Sequence, residues 1–569
     1  HRAADDERVD LVRSLVREDA LEVVHVADHR VLERDAVAAE DRAGGTGDLE
    51  RAAGVAHLAQ RDVLGAEATL VLHAAEDARE EAEASFRLAA KLDPSLAMAW
   101  WGVALALGPD INNPPEIGRT HDAAEALDHA ATLAEARATA EERAYIAALA
   151  RRYSHDEHPD FDRLATGYQE SMAAIVAAHP EDADAAALYA EALMDLRPWQ
   201  LWDADGQPAA QTETLVSMLE SHLARAPDHL GLLHFYIHAI EASPTPGRAL
   251  PAARRLAQMP MEPAAAHLVH MPAHIYLRVG DWPAAVDANL HATHHALDFR
   301  HGAHPTQKLA CGHCADFLRH AYTMAGDLAN ARAAAERADS LTQDPTGTLG
   351  VLVRFRQWDE ILIRPAPATP AAGAANDGPD PQFAKGYWHY ARGMALAATG
   401  RLAAADGELV ALKAEAGALP ALRAVPPGSL NIEHGLEDLF RRGEHAVLAL
   451  ATQVLEAQLA QKRQGPGAAL AAWRRAVELD DHLPYSEPPL WYAPVRESLG
   501  AALLAAGRNA EAEATFSEDL RRNPNNPRSL FGLTAALRAL GRRTEAAATQ
   551  TQYEAAARIA DRPLSLEDL

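Results

Sequence analysis

Three stretches of the chain carry histidine and carboxylate at helical spacing. In Leu233-His234-Phe235-Tyr236-Ile237-His238-Ala239-Ile240-Glu241, His238 follows His234 by four residues and Glu241 follows by three more. In His267-Leu268-Val269-His270-Met271-Pro272-Ala273-His274, the histidines stand at offsets of 3 and 7. His313, Asp316 and His320 repeat those offsets. On an α-helix each set shares one face. Neutral imidazole and carboxylate are the ligands of transition metals. A carboxylate beside them orients the second ring nitrogen or serves as general base. The chemistry implied is that of a transition-metal ion (Zn, Fe, Mn or Cu) and the water it activates.

Register links the three stretches. The shift of 46 that carries Gly280 to Gly326 also carries His267 to His313, His270 to Asp316 and His274 to His320. A shift of 33 carries His234 to His267 and Glu241 to His274. Equivalent helices of a solenoid stand side by side along its concave groove. His234, His238, His267, His270, His274 and His313 are therefore expected as metal ligands, with Glu241 as base or as the group that orients an imidazole. Glu191 and Asp195, on the stretch Tyr189 to Asp195, are candidates for the same wall. The competing reading is a set of packing histidines, which would have to bear mutual desolvation and repulsion on protonation.

Other motifs are weaker. Cys311-Gly312-His313-Cys314 has CxxC spacing but no second pair, which favours a structural role. His291, His294 and His295 are expected to face outward. Leu483 to Arg496 holds four prolines and three aromatics ahead of a hairpin, as a fixed loop entering the groove would. From it Glu487 and Arg496 are candidate catalytic residues, and Trp491 and Tyr492 candidate substrate contacts. Trp199, in the turn 197–210, is a third such contact. A Ser/His/Asp nucleophile pattern, a P-loop and a GxGxxG unit are not seen.

The elements that would hold these residues are helical hairpins. Ala82, Phe86, Ala89 and Pro94 are the small, aromatic, small and proline positions of a tetratricopeptide second helix, and Ala512, Phe516 and Pro524 repeat the frame. Ala469, Trp473 and Ala476 follow it more loosely. Leu499, Gly507 and Ala512 return as Leu533, Gly541 and Ala546 after 34 residues. Glycine followed by a charged residue marks the turns at Gly280, Gly326, Gly400, Gly507 and Gly541. The expected fold is all-α, a right-handed α/α superhelix of tetratricopeptide-like hairpins. It divides into a histidine-rich half at 79–363, a Pro/Gly/Ala-rich loop at 364–382 and further repeats at 383–569.

Residues 1–78 contain no Phe, Tyr, Trp, Ile, Met or Pro and read as an atypical extension, either poorly packed or non-native. The chain has 569 residues, 48% of them apolar but only 5% aromatic, and a formal charge of −28. That length calls for several domains or a repeat array. The charge repels nucleic acid and anionic membrane, so neither is expected as a partner. There is no run long and apolar enough for a transmembrane span or a secretory signal. Two cysteines provide no disulfide framework, which places the chain in a reducing, cytoplasmic setting.

Taken together, HLVHMPAHIYLRVG at 267–280, His234 to Glu241, Trp388-His389-Tyr390-Ala391-Arg392-Gly393 and Tyr485 to Arg496 resemble a bacterial family of tetratricopeptide-repeat proteins lacking an established function. The chain is similar also to a eukaryotic relative, tetratricopeptide repeat protein 38. The likeness runs from about residue 79 to 555 and implies the superhelix but no reaction. That family usually shows Pro-His-Asn with a second histidine three residues after the first; here Cys314 and Asp316 follow His313. Three classes of function follow. One is a metal-dependent hydrolase acting on a small molecule or peptide in the groove. The second is an Fe or Cu oxidoreductase at the same ligands. The third is a non-catalytic scaffold gripping a peptide or protein.

Overall fold

The structure is a computed structural model that describes residues 75–261, 266–298, 305–368, 378–426 and 429–569. The N-terminal extension lies outside these, apart from its last four residues. The described residues fold as an all-α solenoid; beyond the helices, only isolated bridges join Asp110 to Asn113 and Trp202 to Pro208.

Small and large residues alternate where helices meet. Phe516 is fully buried between Val495–Ala505 and Pro527–Ala539. A Cβ on Gly500 or Gly532 would lie 2.4 or 2.3 Å from its ring, so both neighbours must be glycine for the aromatic to fit. Phe86 packs the same way on Gly102. These are the interlocking contacts of a tetratricopeptide hairpin. The five Gly-charged turns all have φ between +71° and +90°, the left-handed conformation that ends a first helix.

The candidate ligands sit on three neighbouring segments. Leu230–Glu241 is buried at every residue, as a helix must be when neighbours cover it all round. The second segment divides at Met271 into Ala266–His270 and Pro272–Val279, with the proline opening the second helix. The third is Pro305–Ala325.

The C-terminal repeats fold back onto the ends of the histidine helices. The Gly280 turn abuts Pro524, and Trp282 Nε1 donates to Asn525 O at 3.3 Å. Asp561 N donates to Gly326 O at 3.2 Å. Arg354 and Glu497 form a buried ion pair across the same junction. The loop that carries Glu487 is thereby pressed onto the histidine helices. At 364–382 the helix Pro381–Ala398 begins before the expected loop ends, and residues 369–377 lie outside the described set.

Candidate metal centre

The six expected histidines form two triads. His234, His238 and His267 make one, and His270, His274 and His313 the other; five of the six are buried and His313 is half-buried. In the first triad Nε2 of His234 is 2.9 Å from Nε2 of His267 and 3.1 Å from Nε2 of His238. In the second, Nε2 of His270 and Nε2 of His274 are 2.7 Å apart. The His313 ring lies beside His270, with centroids 4.8 Å apart. Nitrogens bound to one ion at about 2.0–2.1 Å lie roughly 3 Å apart, so these spacings suit coordination.

The other face of each ring is tied down. Glu241 stands between the triads: Oε1 meets His238 Nδ1 at 2.7 Å and Oε2 meets His274 Nδ1 at 2.6 Å. Glu487 closes on the same His274 nitrogen. His270 Nδ1 meets Asn289 Oδ1 at 2.7 Å, and Asn289 Nδ2 donates to Ala285 O at 2.7 Å, which fixes the amide orientation. A neutral imidazole carries one N–H. Spending it at Nδ1 leaves Nε2 of His238, His270 and His274 as bare acceptors facing other imidazoles. Such oriented histidines are the usual surroundings of a bound metal.

Electrostatics follow burial. Desolvation pushes His238 down and His270 well down; for His270 the neighbouring His274, His313 and His267 add to the shift. His313 falls to about 4 for the same first reason, then through His274. Burial alone would raise Glu241, but His274, the Glu487 hydrogen bond and His238 outweigh it and hold the carboxylate well below its usual value. Glu487 is driven well up by burial and by the Glu241 charge, so it carries the proton the two acids share. Tyr485 hydrogen-bonds within this pair.

A cavity reaches the site, lined by His238, Glu241, Tyr485, Trp199, Met194 and Leu201 among others. The Trp199 ring stands edge-on to His238, centroids 5.5 Å apart, and Trp202 Nε1 donates to Ala239 O at 2.8 Å. The turn 197–210 thus folds over the first triad.

Several expected residues lie elsewhere. Arg496 is corrected from a catalytic position, because it pairs with Asp481. Trp491 and Tyr492 are corrected likewise: they pack on Tyr390, with Tyr492 Oη 2.7 Å from Tyr390 Oη, and do not border the cavity. Asp316 pairs with Arg319, and His320 is buried with its ring turned edge-on to Trp282. Both stay outside the triads. Asp195 binds Arg152 in a different cleft. His291 is exposed, whereas His294 and His295 are half-buried. Cys314 is buried, and the side chain of Cys311 lies outside the described set. Sequence reading overlooked Asn289 and Tyr485. A lone asparagine on the Ala285-Val286-Ala288-Leu290 face was the available signal for the first, and proximity to Glu487 for the second.

No family model and no curated protein sequence matches the chain. Solved structures of similar course exist at low likeness. The human IFIT1 dimer with PPP-AAAA is 14% identical, covering 85% of this chain and 87% of that one, with a TM-score of 0.30. The APC/C hetero-tetramer Cut9-Hcn1 is 13% identical, covering 90% of each, at 0.27. The P58(IPK) TPR domain is 11% identical, covering 82% and 94%, at 0.20. The solenoid fold assigned above stands on this chain's own hairpins. Among the described residues no helix is long and apolar enough to cross a membrane.

Proposed function

We propose that the two histidine triads bind transition-metal ions and that the chain is a metal-dependent hydrolase whose substrate reaches them through the cavity beside His238. One observation carries the reading: Nε2 of His270 and His274 face each other at 2.7 Å while both Nδ1 atoms are engaged by oxygen. Ring nitrogens held that close, with both Nδ1 atoms already engaged, suit a shared cation. Each triad offers three protein ligands, the number found where a metal keeps a position open for water or substrate.

When bound, such an ion supplies a water of lowered pKa and polarises the substrate oxygen. The chain's own residues do the rest. Glu241 holds one imidazole of each triad in a fixed orientation and borders the cavity. Tyr485 supplies a hydrogen-bond donor on the same wall, and Glu487 stands behind it against Glu241 and His274. Trp199 and Leu201 form an apolar rim that limits water. The likeness to tetratricopeptide repeat protein 38 adds no reaction to this reading.

A specific observation favours a second reading, a metal-braced scaffold without catalysis. Every residue of Leu230–Glu241 is buried, and closed metal sites are structural ones. Purification without an immobilised-metal column, metal analysis by mass spectrometry and a panel of activated esters and phosphoesters separate the two. Bound Zn or Mn with turnover lost in His270→Ala supports the hydrolase. Bound metal with no turnover leaves the scaffold, Fe or Cu with redox turnover leaves the oxidoreductase, and no metal overturns all three metal readings.

A further inference from the structure

A second cleft lies on the other side of Ile111 and the Pro198–Trp199 turn from the histidine cavity. Its walls are apolar, formed by Pro109, Ile111, Phe161, Leu164, Ile432 and Leu436. Ile432 and Leu436 close it from the C-terminal half, on a segment whose residues 429–432 are held at Asp162. That carboxylate accepts from Leu430 N at 2.8 Å, Ile432 N at 3.1 Å and Ser429 Oγ at 2.8 Å.

Three polar groups line this cleft with hydrogen-bonding capacity left over. Arg152, Tyr168 and Asp195 are 4%, 2% and 5% exposed. Arg152 Nη2 is engaged by Asp195 Oδ2 and by Pro109 O, at 2.6 Å for the latter. Arg152 Nη1, Asp195 Oδ1 and Tyr168 Oη have no hydrogen-bond partner. The guanidinium lies over the Tyr168 ring at 4.9 Å, which keeps the three groups together. A bidentate ion pair would have satisfied both residues; this one leaves a donor and an acceptor side by side. Buried polar groups without partners are costly, so three in one cleft are a strong demand for a ligand.

We infer that this cleft binds a small ligand with an apolar body and an uncharged amide head, its carbonyl accepting from Arg152 Nη1 and its N–H donating to Asp195 Oδ1. The choice of an amide follows from charge. Arg152 is paired with Asp195, and the Asp110 that also lines the cleft with Arg79, so an ionised head would bring an uncompensated charge into walls otherwise mainly of proline, isoleucine, leucine and phenylalanine, which is costly. An amide offers one acceptor for Arg152 Nη1 and one donor for Asp195 Oδ1, and Tyr168 Oη can donate to the same carbonyl. The inference stands apart from the metal reading, since none of the six histidines lines this cleft.

The test uses hexanamide, hexanoate and hexylamine as probes, followed by saturation-transfer NMR on the full chain, with Tyr168→Phe and Arg152→Lys as variants. Hexanamide should bind the native chain in the millimolar range, and the two ionised probes at least tenfold more weakly. Arg152→Lys retains the charge but loses the second donor nitrogen, and should weaken hexanamide about tenfold; Tyr168→Phe should weaken it about threefold. A melting curve for each variant separates lost binding from lost folding, and Tyr168→Phe removes a single atom. Equal binding of either ionised probe overturns the inference. So does an affinity unchanged in both variants, or a native chain that ignores hexanamide, because water would then meet the open groups.

Discussion

Nε2 of His270 lies 2.7 Å from Nε2 of His274, with the two residues on successive helices joined at Met271. Both rings are anchored from behind, His270 by Asn289 and His274 by Glu241. The contact is therefore imposed by partners on other helices, and its closeness is a property of the whole site. Exposing the protein to a strong chelator should remove this support. A metal that binds only the folded chain stabilises it by about 2.7 kcal/mol at one hundred times its Kd. Chelation should lower the melting temperature by several degrees, and returning the metal should restore it. A melting curve indifferent to chelator would show that the rings pack without an ion.

Glu241 serves one histidine of each triad through separate oxygens. Glu241→Gln retains the shape but has one acceptor oxygen, so either His238 or His274 loses its anchor. Loss of such an orienting partner typically costs 10–100-fold in metal affinity. Titration against a competing chelator should show one class of site weakened by that factor and the other nearly unchanged. Two sites weakened equally would mean that the triads act as one unit.

The Gly280 and Gly507 turns have almost the same backbone, φ +71° and +72°, but different surroundings. A Cβ at Gly507 meets nothing within 4 Å, whereas one at Gly280 would sit 1.8 Å from Pro524 O. Gly507→Ala should cost only the left-handed penalty, about 1–2 kcal/mol. Gly280→Ala should cost more and also part the two halves, raising the radius of gyration in small-angle scattering. Equal losses in denaturant unfolding, with unchanged scattering, would show that this junction does not close the superhelix.

Asp519 is fully buried and accepts from Asn526, Ser529 and Asn523. Burial, and then the charge of Glu497, raises it to about 6. The unfolded chain has a value near 3.9. A raised carboxyl gives stability that is complete below the unfolded value and lost as pH rises through the folded one. The native chain should thus lose roughly 3 kcal/mol relative to Asp519→Asn between about pH 4 and pH 6, with little further change above. Parallel stability curves for the two chains would remove Asp519 from the pH response.

The superhelix, and the histidines and carboxylate that meet in it, were legible in the residues themselves. The Ala82-Phe86-Ala89 frame and the Gly-charged turns are local signals, because one hairpin needs a small residue opposite each aromatic and a left-handed end to its first helix. The i, i+3/i+4 and i+7 spacings likewise placed histidines on common faces. The division of labour among those faces depended on tertiary structure. His267, His270 and His274 share a stripe, yet His267 joins His234 and His238 while the other two join His313. The reason is that the stripe borders two neighbouring helices, with His267 against His234 on one and His270 against His313 on the other. Glu487 and Tyr485 reach the site only because the C-terminal repeats curl back to meet the Gly280 turn. The same loop carries Trp491, Tyr492 and Arg496 to other partners. Residue type determines what a side chain can do; where a superhelix brings its ends determines which side chains do it together.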